Sequence, residues 1–337
     1  MGLFLVKFYS PQMINTINLI PNKIQIDKLK PYKKDMNIIK SLSHIGISLI
    51  ENEEIQELED NDTFICESDQ ILFSTSNNEE ESFLQFHVYD KENDDFVIHH
   101  DVFVYSSIND AEYFYKNDKH FIALATFEKD VMVYDSCIFN PMAPQILLKG
   151  HEDHIMCVKK FGENLFSGSE DKSIIEWDII KETPCNFYKL DLVPEKICKS
   201  NNHIFYTDGT TIKSSTSDLH FSCYDRIENL IACDNMIYVS NSTGDFFSFD
   251  LRASKSPYFS NKYVESALTG MDLLNNKIAL CSKSGEIFIL DLLDYELKNS
   301  EKIKSVLYSI KLHEDNLIFY GDESDTLHLK KLKNKVF

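Results

Sequence analysis

The chain has 337 residues, with 34 lysine or arginine and 54 aspartate or glutamate residues, which gives a formal charge of -20. This charge argues against a general nucleic-acid-coating protein, because nonspecific phosphate binding needs a positive surface. Apolar residues make up 43% of the sequence, which excludes a wholly disordered chain, while the apolar runs fall far short of the ~20 residues of a membrane span.

The first 62 residues differ in pattern from the rest of the chain. Leu3–Phe8 is a short apolar run that predicts a strand, and Lys7 interrupts it too early for a secretory leader, so we expect a soluble intracellular protein. Residues 1–50 hold seven lysines and two aspartates, whereas residues 51–101 hold 17 acidic residues and one lysine. This switch predicts an extended connector over 10–62, in which 33–43 could form a short helix. The connector is either a solvated linker or a docking arm for a partner.

From residue 63 onward, short apolar runs closed by turn residues predict many strands. A strand that ends in an aromatic or aliphatic residue followed by aspartate recurs at Asp90, Asp135, Asp178, Asp250 and Asp291. The spacings are 45, 43, 72 and 41 residues, and the 72-residue gap holds a degenerate unit at 207–213. A period near 40 with four strands per unit predicts an all-β fold, a seven-bladed β-propeller over 63–337.

The unit from Gly150 to Asp178 is the most complete, and it has the full pattern of a WD repeat. We expect four of its side chains to form a buried hydrogen-bonded chain that holds one blade together. They are His151, Ser167, Asp171 and Trp177. Its histidine, serine and aspartate also have the composition of a hydrolase triad, but the repeat explains each of them and no G-x-S-x-G motif is present. We therefore predict no catalytic residues and no enzyme activity.

Closure of the ring follows from the last unit. It has room for three strands, over 306–312, 316–321 and 326–332, and a propeller with an unpaired terminal edge would be open to aggregation. We expect residues 1–9 to supply the missing fourth strand of the last blade, so that the N-terminal strand closes the ring.

Metal and cofactor sites are not predicted. The eight cysteines are spread singly, without the paired spacing of zinc or redox sites. His99, His100 and Asp101 lie on a predicted strand, where only His99 and Asp101 would share a face, and two ligands do not make a zinc site. No nucleotide-binding motif is present. We expect no cofactor and no small-molecule substrate.

Three stretches carry a more specific resemblance. Residues 84–90 with 96–102 resemble the first blade of the periodic tryptophan protein 1 family, WD-repeat proteins of eukaryotic ribosome assembly. Residues 122–126 with 131–135 are similar to that family's second blade, and residues 243–273 to a later one. The chain keeps only Trp177 where the family repeats tryptophan, so it looks like a reduced, divergent member.

The resemblance implies a non-enzymatic scaffold in the nucleus and nucleolus that acts in early large-subunit assembly and rRNA processing. It would be a monomer within a larger particle, bound to assembly proteins and pre-ribosomal RNA and not to a membrane. An acidic propeller would attract the basic proteins of such a particle. RNA contacts are expected at two lysine clusters, Lys28, Lys30, Lys33 and Lys34, and Lys330, Lys331, Lys333 and Lys335. The chain has only two arginines, so sequence-specific RNA recognition is not expected.

A second hypothesis is a substrate receptor of a cullin-RING ubiquitin ligase. Residues 249–252 resemble the W-D-x-R step that such receptors present to their adaptor, with Phe249 in place of tryptophan. Arg252 would then be the adaptor contact, and its alternative role is a salt bridge at the edge of a blade.

Overall fold

The computed structural model describes a chain built from β-strands. The described residues are 13–20, 30–31, 69–78, 81–116, 119–136, 138–139, 141–201, 203–217, 219–253, 256–324 and 326–332. An apolar helix of membrane-spanning length is not found in these ranges.

The strands form seven antiparallel blades, six of four strands and a last one with three described strands. The first three blades are β1 (Met13–Ile20), β3 (Gln70–Asn77), β4 (Ser82–Asp90) and β5 (Asp95–Val104); β6 (Ile108–Lys116), β7 (Lys119–Thr126), β8 (Val131–Asp135) and β10 (Ile146–Leu148); and β11 (Ile155–Phe161), β12 (Asn164–Ser169), β13 (Ser173–Asp178) and β14 (Thr183–Lys189). Two short strands, β2 (Lys30–Pro31) and β9 (Ile138–Phe139), pair in parallel beside them.

The remaining four blades repeat the same order. They are β15 (Lys196–Ser200), β16 (His203–Thr207), β17 (Thr211–Ser214) and β18 (His220–Ser222); β19 (Ile227–Cys233), β20 (Met236–Asn241), β21 (Asp245–Asp250) and β22 (Phe259–Lys262); β23 (Leu268–Leu274), β24 (Lys277–Ser282), β25 (Glu286–Asp291) and β26 (Leu297–Lys302); and β27 (Leu307–His313), β28 (Leu317–Asp322) and β29 (Leu327–Lys331). The first strand of each blade contacts the first strands of its two neighbours, and β1 contacts both β27 and β6. The predicted seven-bladed propeller is confirmed.

The boundary that we predicted at residue 63 is wrong for one segment. The sequence pattern predicts residues 13–20 as part of the connector, but β1 is the first strand of blade 1 and pairs antiparallel with β3. This strand does not show in the repeat pattern because about fifty residues separate it from its partner in the chain. The predicted closing strand over 1–9 and the helix over 33–43 lie outside the described residues. Within the connector, Lys30–Pro31 pairs with Ile138–Phe139, which lies between β8 and β10 in the chain.

The recurring aspartates have a structural reason. Each of the five ends the third strand of its blade. In four of them the carboxylate accepts a backbone N–H two residues further on, at Glu92, Ile180, Arg252 and Leu293, over 2.8–3.0 Å. An aspartate side chain in this position mimics a backbone turn. The period found in the sequence is therefore the period of the turn between the third and fourth strands.

A second repeated feature is a β-bulge near the start of the first strand, which occurs in six of the seven blades. The bulges lie at Ile14/Thr16, Ile108/Asp110, Ile155/Cys157, Ile227/Asn229, Leu268/Gly270 and Leu307/Ser309. A bulge adds twist and changes the direction of the side chains that follow it. In blade 2 it helps to place Asp110 against the next blade, where the carboxylate accepts the Val158 N–H at 3.3 Å.

The core lies between blades, because each sheet packs its face against the face of the next one. Between blades 2 and 3, Val131 and Val133 pack with Leu165, Ile175 and other buried residues of both sheets. The middle strands are covered on both faces, so they are apolar in consecutive positions and do not alternate. This explains why the sequence shows short continuous apolar runs.

Candidate functional site

The four side chains expected to act together in blade 3 form a continuous hydrogen-bonded chain. His151 Nδ1 lies 2.9 Å from Asp171 Oδ2, and His151 Nε2 lies 2.8 Å from Ser167 Oγ. The indole N–H of Trp177 donates to the same Ser167 hydroxyl over 2.7 Å. The chain links the loop before β11 to β12, β13 and the turn between them.

Packing and electrostatics hold this chain in one arrangement. Gly150 lies directly over the indole, since a Cβ atom there would be 2.9 Å from Trp177 Cη2. Burial lowers the pKa of His151 below its usual value, although the Asp171 carboxylate opposes this shift. Burial also acts to raise the pKa of Asp171, but hydrogen bonds from Ser173, Glu152 and His151 outweigh it and lower the pKa. Asp171 is therefore the charged end of the chain.

The geometry does not suit the hydrolase alternative. Ser167 and Trp177 are both 0% exposed, so no substrate reaches the hydroxyl. At the corresponding positions of blade 5, the register places Val239 and Phe249, which are also buried. In blade 5, apolar contact thus takes the place of these hydrogen bonds. This indicates that the hydrogen-bonded side chains of blade 3 stabilise their sheet.

The C-terminal lysines are held by carboxylates where the structure describes them. Lys330 forms an ion pair with Glu301. Lys331 Nζ lies 2.6 Å from Asp94 Oδ1, and this contact raises the pKa of the lysine. A phosphate group would have to compete with both partners. Of the other candidate lysines, Lys30 is described only as part of β2, and Lys28, Lys33, Lys34, Lys333 and Lys335 lie outside the described residues.

Arg252 lies just after the third strand of blade 5, and its side chain is 68% exposed. Its Nε and Nη2 atoms donate to the two oxygens of Asp250 over 2.9 and 2.8 Å. This bidentate contact is the blade-edge salt bridge considered as its alternative role. The pKa of Asp250 falls to about 2, chiefly because of the side-chain hydrogen bond from Arg252.

The histidine pair in blade 1 departs from simple strand alternation. Phe86 pairs with His100 and His87 with Ile98, so His99 is the extra residue of a bulge. As a result, the Nδ1 atoms of His99 and His100 lie 2.8 Å apart. The expectation that neighbouring side chains point to opposite faces is wrong here, because a bulge breaks the period of two. His100 is buried and its ring stacks on Phe86, with centroids 4.4 Å apart.

Ion pairs between the first strands of neighbouring blades were not found from the sequence. Lys159 Nζ of blade 3 lies 3.1 Å from Asp110 and 3.4 Å from Glu112 of blade 2. Lys311 of blade 7 lies 2.9 Å from Asp272 of blade 6. Burial disfavours the charged form of Lys159, but its two carboxylates outweigh burial and raise its pKa. Only an alignment of the bulges would have revealed that these charges face one another.

Among solved structures, the WD40 β-propeller domain of Doa1 is similar to this chain. The TM-score is 0.66, the sequence identity is 14%, and the match covers 77% of this chain and 90% of that chain. No protein-family model and no curated protein matches the sequence. The structural likeness shows that the fold is a WD40-type β-propeller.

Proposed function

We propose that the protein is a non-enzymatic scaffold that binds basic protein partners. The observation that carries the proposal is the balance of charged groups. The formal charge is -20, and many of the described lysines form ion pairs with carboxylates of the same propeller. Lys159, Lys311, Lys330 and Lys331 are examples. The charge left for a partner is therefore negative, and complementary basic surfaces would be attracted to it.

Two features support the non-enzymatic part of the proposal. The histidine, serine and aspartate of blade 3, which have the composition of a catalytic triad, form a largely buried group that holds the blade together. The closed ring also gives a rigid body whose loops are carried on sheets, and such surfaces suit recognition of partners.

The more specific proposal is a role in early large-subunit assembly in the nucleolus. The three stretches that resemble the periodic tryptophan protein 1 family support it, and so does the acidic surface, since ribosomal precursor particles contain many basic proteins. In this proposal the protein is a monomer within the particle and contacts mainly proteins. Direct contact with pre-ribosomal RNA would fall to lysines outside the ion pairs described above.

Affinity purification of the full chain from a native extract tests this function. We expect large-subunit precursor RNA and assembly proteins to be recovered, with the RNA lost after ribonuclease treatment. A purification that yields neither would contradict the proposal. Recovery of a cullin adaptor that disappears with Arg252→Ala would instead favour a ubiquitin-ligase receptor. If Arg252 only forms the salt bridge to Asp250, the substitution should not change which proteins are recovered.

A further inference from the structure

A patch of exposed aromatic and acidic side chains lies on neighbouring loops, of which two join blades 1, 2 and 3 and two join the second and third strands within blades 2 and 3. We call it the blade 2–3 patch, and it consists of Tyr105, Phe127, Glu128, Asp153, His154 and Glu170. Phe127 is 48% and Tyr105 39% exposed. The Phe127 and His154 rings approach to 5.6 Å between centroids. Burial raises the pKa of Tyr105, and the nearby carboxylates of Glu128 and Asp130 add to this shift.

The loops that carry the patch are fixed to one another by backbone hydrogen bonds. Phe127 N–H donates to Ser107 over 3.1 Å, and Ile155 N–H donates to Glu128 over 3.1 Å. Glu170 N–H donates to the His154 carbonyl over 3.0 Å. The aromatic surface is therefore formed before any partner binds, and little ordering entropy would be lost on binding.

The polar groups of the patch are arranged for a positive charge. One oxygen of Asp153, one oxygen of Glu170 and a ring nitrogen of His154 all lie within 4.8 Å of one another, on exposed side chains. In the part of the chain that the structure describes, no lysine or arginine forms an ion pair with Glu128 or Glu170. Carboxylates beside an exposed aromatic face favour a cation that can contact both.

We propose that the blade 2–3 patch binds a basic segment of a partner protein, with an arginine or lysine side chain over the Phe127 ring and its charge facing Asp153 and Glu170. The proposal rests on the function proposed above and names the surface that would perform it. Lys129 and Lys149 are exposed on the same loops. Long-range attraction is consequently modest, and affinity comes from contact with the ring and the carboxylates.

The test uses the full chain and a fluorescent twelve-residue peptide of alternating arginine and glycine, with fluorescence anisotropy as the measurement. We expect the double variant Phe127→Ala/Glu170→Gln to weaken binding by about tenfold, since a cation–π contact and an ion pair each contribute up to about 1 kcal/mol at exposed sites. The control is Leu293→Ala/Glu296→Gln, which changes an exposed apolar residue and an exposed carboxylate in blade 6: Leu293 is 80% exposed, and the side chain of Glu296, which pairs with Lys298, is 70% exposed. It should bind as the unchanged protein does.

Three results would overturn the proposal: no binding to the unchanged protein, equal loss in both variants, or binding that disappears on addition of EDTA and so depends on a divalent cation. The fluorescence of Trp177, and thermal unfolding followed by this fluorescence, check that each variant is folded. Failure of the proposed function is a separate result, because a protein that binds the peptide but recovers no assembly proteins from extract would keep the patch and lose the assembly role.

Discussion

The substitution Ser167→Ala tests the hydrogen-bonded chain of blade 3 most directly. The hydroxyl is the partner of His151 Nε2 and of the Trp177 indole N–H, at 2.8 and 2.7 Å, and it is fully buried. Its removal leaves two buried nitrogen atoms without that partner, and each such group costs about 1–3 kcal/mol. We expect the free energy of unfolding to fall by about 2–4 kcal/mol, which is a large part of the roughly 5–15 kcal/mol of a folded domain.

Urea denaturation followed by tryptophan fluorescence measures this change at the site itself, because Trp177 is the only tryptophan of the chain. The control is Ser300→Ala, at an exposed position of β26, which should change the unfolding free energy by less than about 0.5 kcal/mol. A loss in Ser167→Ala no larger than in the control would show that the chain does not stabilise the blade, and our interpretation of these four residues would then be wrong.

Three further predictions concern ring closure, a buried histidine and a turn glycine. Deletion of residues 1–9 should strongly lower the thermal midpoint if they complete the last blade, and unchanged melting would refute that closure. Burial lowers the pKa of His87 to about 4, below the ~6.5 of an unfolded chain. The free energy of unfolding should therefore fall by up to about 1.4 kcal/mol per pH unit as the pH drops from 6.5 towards 4. Denaturation of His87→Phe at several pH values should show a weaker dependence of this free energy on pH, and an unchanged dependence would contradict the prediction. Gly285→Ala should lower the melting temperature more than Gly162→Ala. Both glycines have positive φ, but of the two only Gly285 would place a Cβ atom against a backbone oxygen, that of Ile303, at 2.3 Å. An equal fall in melting temperature would show that backbone strain alone determines the effect.

The repeat and the hydrogen-bonded chain of blade 3 could be predicted from the sequence. Both depend on contacts within one blade: an aspartate such as Asp178 accepts N–H groups two and three residues away, and Ser167 meets a tryptophan ten residues away. Interactions over such short separations leave a regular spacing in the sequence. Local composition predicts the C-terminal lysine cluster but not the carboxylates that hold Lys330 and Lys331, because Glu301 and Asp94 lie in other parts of the chain.

The features that join distant parts of the chain are visible in the folded structure and not in the sequence pattern. The fold shows them in three places. It made 13–20 a strand of blade 1, paired Lys331 with Asp94, and placed Tyr105, Phe127 and His154 in one patch. Closing the ring brings the last blade against the first, and the loops of successive blades against one another. No local pattern records these neighbours, because the residues that meet are selected by the packing of whole sheets.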